Sequence, residues 1–264
     1  MLNTIITRLH LDLSAQNISN FEMISEFFTV EGISVPAVSA AQMKEIDRIA
    51  VEETGPNLFQ MMENAGRNLA ELVSRILQNE QKKKILVLVG SGGNGGGGIT
   101  SARHLSNWGF DVTVCVSDIE RLRSVAKYQL HILNSTNAKV ISINQLNKEK
   151  PDLIIDALIG YSLTGQPSGT VLEMIKWSNN QLAIVVSLDV PSGINVTSGE
   201  KSKIFINPDL TLTLALPKTG LLPELTGELF LCDIGIPPKV FQRIGITPPK
   251  LFTKDFIIKL STKE

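Results

Sequence analysis

The sequence is 264 residues long, 43% hydrophobic and 19% charged, with a formal net charge of -1. That length and apolar content suit one large domain, or two small ones, around a substantial core. The near-neutral balance argues against nucleic-acid binding, which calls for a concentrated basic surface, and no apolar run approaches the roughly 18 residues of a membrane span; a local site for a small anion stays open.

The first stretch, MLNTIITRLHLDLSAQNISNF, is interrupted by Arg8, His10 and Asp12 and makes a poor secretory signal. Residues 1–33 are read as an N-terminal extension, 34–250 as one domain and 251–264 as a tail. Ser39 with Gln42 forms a capping-box pattern, and Val38 is placed to staple onto Met43. Met43, Ile46, Ile49 and Ala50 follow at helical spacing, and Gly55 is placed to end that helix. A second helix is predicted after Pro56, with Leu58, Met62, Ala65, Leu69, Leu72, Val73 and Ile76 on one stripe.

The pattern then changes. ILVLVG, from Ile85 to Gly90, is continuously apolar and predicts a strand buried on both faces, as in a parallel sheet. The glycine-rich loop Gly90–Gly98 follows it, then ITSARHLSNWG as a helix ending at Gly109. Next come VTVCV, a helix over 125–133, AKVISI, and the strand candidates DLIIDALIG, LAIVVSLDV, LTLTLAL and ELFLCDIG. Strands alternating with helices predict a doubly wound α/β fold. Ligands of such sheets bind beyond the carboxyl ends of strands, here Gly90–Gly98, Asp156–Gly160, Asp189–Gly193 and Pro217-Lys218.

A glycine loop between a strand and a helix suits phosphate or nucleotide binding by backbone N–H groups. Gly90-Ser91-Gly92-Gly93-Asn94-Gly95 matches G-x-G-x-x-G, a weak signal in so glycine-rich a segment, and a Walker loop fails because no Lys-Ser or Lys-Thr follows. Asp118 stands where a Rossmann dehydrogenase would hold ribose, but reads better as a surface turn residue. Asp156 and Asp189 both end apolar strands; either alone could be a turn residue, and together with the loop they favour a site. Lys218 reads as a surface lysine at a strand end before it reads as a catalytic assistant. His10, His104 and His131 lie away from these ends, and Cys115 and Cys232 read as buried reduced thiols, which fits the cytoplasm. No catalytic Tyr-Lys or His-Asp set supports a conventional NAD-dependent oxidoreductase.

Several of these segments together resemble the YjeF N-terminal domain family, whose enzymatic members are NAD(P)H-hydrate epimerases. The resemblance runs from about Ser39 to Pro237 and rests on MENAG (Met62–Gly66), the glycine loop with ARHL (Ala102–Leu105), DALIG (Asp156–Gly160), DVPSG (Asp189–Gly193), LPK (Leu216–Lys218) and DIGIP (Asp233–Pro237). It implies a three-layer α/β/α Rossmann-like sandwich with a mainly parallel sheet, often a homodimer. It implies a potassium site, one per subunit, at Asn94, Asp156 and Ser192, an oxygen-only set that suits a large monovalent cation better than zinc. The substrate, hydrated NADH or NADPH (NADHX or NADPHX), would touch Gly93, Asn94, Gly95, Gly96, Gly97, Gly160, Tyr161, Ser162, Leu163, Thr164, Gly165, Gln166 and Asp189.

Asp189 is the candidate for proton transfer, acting on a hydroxyl at a carbon beside the ring nitrogen. No carboxy-terminal kinase-like domain, which some relatives carry, is expected, so the chain would supply the epimerase half of nicotinamide nucleotide repair. The family loop usually reads Gly-x-Gly-Asn-Asn-Gly-Gly-Asp-Gly; here Gly93 replaces the first asparagine and Gly97 the aspartate. The alternative is therefore a catalytically weakened domain that binds nucleotide-like ligands or proteins. A carboxylate restored at Gly97 is expected to suit the positive helix end unless the residue has positive φ.

Overall fold

The computed structural model describes residues 23–80 and 82–262. The reading of Arg8, His10 and Asp12 lies outside the described residues. In chain order the strands are β1 (Glu26–Thr29), β2 (Ser34–Pro36), β3 (Lys84–Val89), β4 (Asp111–Val116), β5 (Lys139–Ile141), β6 (Leu153–Ala157), β7 (Ile184–Leu188), β8 (Leu210–Leu214), β9 (Glu228–Cys232) and β10 (Ile257–Ser261). They form one sheet in the order β2-β1-β10-β9-β8-β7-β6-β3-β4-β5. From β5 through β9 in that order the neighbours are parallel. β10, β1 and β2 extend the sheet antiparallel.

The helices are α1 (Ala40–Ile49), α2 (Leu58–Ile76), α3 (Gly93–Asn107), α4 (Ser124–Leu133), α5 (Gly169–Asn179), α6 (Pro223–Thr226) and α7 (Pro238–Gln242). Continuous apolarity in the strands feeds two cores, because side chains alternate across the sheet. Val87, Val89, Ile155 and Leu188 meet Leu69, Ile99 and Leu105 of α2 and α3 on one face. Leu86, Leu88, Ile154 and Val185 meet Leu146 and the α5 residues Met174 and Ile175 on the other. The result is the three-layer sandwich with a mainly parallel sheet.

The Ser39 capping box closes with both hydrogen bonds, Ser39 N to Gln42 Oε1 at 2.9 Å and Gln42 N to Ser39 Oγ at 3.2 Å. The chain continues past α1 as one wide turn, Ala50–Thr54, and stops at Gly55 with φ 85°. A second capping box, Asn57 with Gln60, starts α2 and is a signal the sequence reading passed over. α3 departs most from expectation. It starts at Gly93, inside the glycine run, not after it. Glycine is a poor helix former, but here it lets the helix lie against the sheet: a Cβ on Gly98 would fall on the Ala157 Cβ, and one on Gly95 on the Gly90 carbonyl oxygen.

The sheet also runs past both expected domain limits. β1 lies within residues 1–33 and β10 within 251–264, and the two pair with each other through Phe28↔Ser261 and Thr29↔Leu260. EFFT and IIKLS are too short to stand out alone; strand pairing between segments far apart in sequence makes them part of the body. Cys115 and Cys232 are buried free thiols, as read, and burial pushes the Cys115 thiol up to about 11. Among the described residues no helix is long and apolar enough to cross a membrane.

Candidate functional site

β3 and β6 are neighbours from which the chain winds away on opposite sides, β3 towards β4 and β6 towards β7. That makes a topological switch point, where an open α/β sheet has its crevice. The strand exits touch there. Gly90 N donates to Ala157 O at 3.0 Å, and a Cβ on Gly90 would land on the Leu158 carbonyl oxygen. α3 opens directly above, with Gly92 as an extended N-cap and no capping side chain. The N–H groups of Gly93, Asn94 and Gly95 have no partner within the helix, by α-helix geometry, and they carry its positive end.

The run divides in two at this point. Gly93 is exposed and Asn94 half-buried, whereas Gly95, Gly96 and Gly97 are buried. A Cβ on Gly96 would come 2.6 Å from Met62 Sδ, and one on Gly97 2.8 Å from Leu188 Cδ2. Gly97 is not among the positive-φ residues. A carboxylate there is opposed by Leu188, not by backbone conformation, which corrects the expectation from the sequence.

Asp156 is the last residue but one of β6, and its carboxylate is fully buried. Its Oδ1 accepts from Leu158 N at 3.2 Å and Ser192 Oγ at 2.6 Å; its Oδ2 accepts from Ser187 Oγ and Ser192 N, each at 2.9 Å. Burial raises its carboxyl above the ordinary range, and the Ser192, Ser187 and Leu158 bonds work against that. Ser192 Oγ also accepts from Ile159 N at 2.8 Å, tying the loops after β6 and β7. Asn94 donates from Nδ2 to Leu188 O at 3.1 Å, while its Oδ1 is buried with no hydrogen-bond partner in the structure. An orphaned amide oxygen in the first turn of α3, a hydroxyl in the loop after β7 and one carboxylate in β6 are oxygen donors of the kind a monovalent cation takes. Among the described residues no cluster of His, Cys, Asp and Glu fits a transition metal.

Asp189 directly follows β7 in the left-handed region, φ 68°, a conformation Asp adopts more readily than most side chains. It is 2% exposed. Lys218 is its partner and is 0% exposed, so the reading of Lys218 as a surface lysine is corrected. The ammonium donates to Asp189 Oδ1, to Thr213 Oγ1 at 3.1 Å and to Leu214 O at 3.0 Å, which uses all its donors. The LPK turn folds back under β8, and sequence spacing cannot reveal that reversal. Asp189 Oδ2 accepts from Tyr161 N at 3.1 Å. Between Asp189 and Asn94 sits Gly160, where a Cβ would be 3.2 Å from Asp189 Oδ2 and 3.3 Å from Asn94 Cγ.

Tyr161 reaches away from this point, its hydroxyl donating to Asp47 Oδ2 at 2.6 Å. Asp47 was passed over in the sequence, although it lies four residues after Met43 and three before Ala50, on the helix face that is buried. Of the remaining predicted residues, Leu163 is half-buried and Ser162, Thr164, Gly165 and Gln166 are exposed; Gln166 Oε1 accepts from Lys203 N at 2.9 Å. Asp118 is a turn residue, accepting from Glu120 N and Arg121 N. His104 lies on α3 in a cluster with Glu63 and Arg103.

Comparisons with known proteins bear on this arrangement. An NAD(P)H-hydrate epimerase of Dehalogenimonas lykanthroporepellens is 46% identical over 244 residues, 92% of this chain and 100% of the relative. One of Plasmodium vivax is 33% identical over 86% of this chain and 79% of its own length. A bifunctional NAD(P)H-hydrate repair enzyme of Salinibacter ruber is 31% identical, and the chain spans 44% of it. The crystal structure of yeast ynu0 superposes with a TM-score of 0.73 and 28% identity, covering 85% of this chain and 100% of the yeast chain. The sequence pattern of the family described as YjeF-related protein N-terminus matches residues 58–220, and the chain belongs to that family.

Proposed function

We propose that the protein is an NAD(P)H-hydrate epimerase, interconverting the R and S forms of hydrated NADH and NADPH. The observation that carries this reading is Asp189: a buried carboxylate with one oxygen fixed by Lys218 and the other beside Gly160, across from the open first turn of α3. The naming of the relatives that match most of this chain supports it.

The reacting carbon, C6 of the nicotinamide ring, bears a hydroxyl beside the ring nitrogen. When the hydroxyl takes a proton, the C–O bond breaks and water leaves, and the nitrogen lone pair forms the C=N bond. Water then adds to the opposite face, the C=N electrons return to nitrogen, and the added water gives up a proton. Asp189 moves that proton in both steps. Lys218 positions the carboxylate and does not touch the reacting atoms. The N–H groups of Gly93, Asn94 and Gly95 bind the diphosphate, and the exposed Ser162, Thr164, Gly165 and Gln166 line the approach with Gly160, Tyr161 and the half-buried Leu163. Gly96 and Gly97 shape the floor, Gly96 by letting α3 approach Met62 of α2 and Gly97 by letting it approach Leu188 of β7.

Asn94, Asp156 and Ser192 would hold one potassium ion per subunit, whose charge would complement the substrate phosphates. A homodimer and a cytoplasmic setting belong to the same reading; free buried thiols suit the latter. The test is to supply purified R and S hydrates separately and follow their interconversion with and without potassium. Interconversion by wild type and its loss in Asp189→Asn is expected. A folded wild type that leaves both hydrates unchanged sinks the reading.

A further inference from the structure

We infer that Asp47, on α1, is a positioning residue for Asp189, acting through Tyr161; this rests on the epimerase reading. The Asp189 carboxylate is held at both oxygens, Oδ1 by the Lys218 ammonium and Oδ2 by the Tyr161 backbone N–H at 3.1 Å. The second hold is only as good as the placement of the Tyr161 backbone. Tyr161 follows Gly160 and precedes the exposed residue Ser162, in a segment without regular secondary structure. What pins it is its side chain: the ring packs against the main core, and the hydroxyl donates to Asp47 Oδ2 at 2.6 Å across 114 residues of sequence.

The other end of α1 makes the frame complete. Just before the helix, Val38 N donates to Pro217 O at 2.9 Å and Thr219 N donates to Val38 O at 3.1 Å, bracketing Lys218. Ala40 N donates to Thr197 Oγ1 at 3.0 Å. The segment 38–49 therefore holds the turn that carries Lys218 at Val38, just before α1, and the loop that carries Tyr161 at Asp47, within α1. Both holds on the Asp189 carboxylate lead back to this one segment. Burial and the adjacent Asp47 push the Tyr161 phenol far above its ordinary range, so it stays protonated and remains the donor. Burial likewise raises the Asp47 carboxyl, opposed by the Tyr161 hydrogen bond.

The experiment compares kcat, KM and melting temperature for wild type, Asp47→Ala, Asp47→Asn, Tyr161→Phe and the Asp47→Ala/Tyr161→Phe double variant. Asp47→Ala and Tyr161→Phe are each expected to lower kcat about tenfold, the worth of one charge-assisted hydrogen bond, with a smaller change in KM. The double variant is expected to be no slower than either single one, because the two act through one bond. Asp47→Asn, whose amide oxygen still accepts from the phenol, is expected to recover most of the loss. Equal kcat in wild type and Tyr161→Phe, multiplying losses in the double variant, or an Asn variant as slow as Ala would each overturn the inference. Tyr161→Phe removes one oxygen atom and decides the matter if Asp47→Ala does not fold. A wild type without turnover fails the epimerase reading itself, and this role with it.

Discussion

Lys218→Met keeps the length of the side chain and removes its charge. In the structure that charge is buried and satisfied: 0% exposed, with Asp189 Oδ1, Thr213 Oγ1 and Leu214 O all accepting from it. The variant leaves the Asp189 carboxylate buried with Tyr161 N as its remaining donor. Breaking a buried pair from one side typically costs about 3–5 kcal/mol, because the stranded charge keeps its desolvation penalty. Against a total stability of about 5–15 kcal/mol that is a large fraction, and for a chain of this size it lowers Tm by roughly 6–20 °C.

The assay is chemical and thermal unfolding of Lys218→Met, Asp189→Asn and the double variant. Asn tolerates the left-handed backbone at position 189, so Asp189→Asn tests charge and not conformation. Each single variant strands one buried charge. The double variant buries none and is expected to regain most of the lost stability, while turnover stays absent because Asp189 is gone. If Lys218→Met costs less than about 1 kcal/mol, the pair behaves like a solvent-exposed one, and the buried arrangement around Asp189 is refuted.

Three other outcomes are expected. Gly97→Asp pushes a side chain against Leu188 Cδ2, 2.8 Å from the new Cβ; overpacking of this kind costs about 1–3 kcal/mol, so its melting temperature falls, and an unchanged melt would contradict the packing. Potassium chloride, exchanged for choline chloride at fixed ionic strength, raises the melting temperature by the linkage of about 2.7 kcal/mol at a hundredfold excess over Kd; Asn94→Ala loses that response, and a wild type that melts alike in both salts argues against the cation site. Burial holds the His104 imidazole below its ordinary 6.5, with the Glu63 hydrogen bond opposing. The unfolded chain therefore binds the proton more readily, and stability rises with pH up to about 6.5 and falls on acidification through that window. His104→Gln should flatten the melting temperature between pH 7.5 and 5.5 relative to wild type.

The sequence makes the parallel body of the sheet legible because a strand buried on both faces must be largely apolar, as ILVLVG is throughout and DLIIDALIG is apart from its aspartates. It also exposes Asp156 and Asp189, because a carboxylate at the end of such a run demands an explanation. What it hides are residues whose role depends on chain reversal. Lys218 has a surface residue's chemistry and follows a strand, and only the fold of the LPK turn carries it inside to Asp189. Asp47 sits in a helix of ordinary polarity, and its partner is distant in sequence. β1 and β10 escape for the same reason, as they pair with each other across most of the chain's length.

The glycine run is where local propensity misleads most, and it yields a last prediction. Propensity assigns all of it to a loop, but a helix begins at Gly93 because contact with the sheet outweighs about 1 kcal/mol per glycine. The deleted side chains then serve different ends. At Gly98 a Cβ would fall on the Ala157 Cβ, in the buried seam between α3 and β6. At Gly93 a Cβ finds only Met62 Cε at 3.9 Å, ordinary contact on an exposed first turn. Gly98→Ala should therefore forfeit about 1–3 kcal/mol of stability by overpacking. Gly93→Ala should melt like wild type or slightly above it, since alanine favours the helix, but its methyl stands where a diphosphate would approach the helix end, and KM should rise. Melting curves and hydrate kinetics on the two variants separate these effects. If Gly98→Ala is as stable as wild type, α3 does not lie against the sheet as described; if Gly93→Ala leaves KM unchanged, the diphosphate does not sit at that helix end.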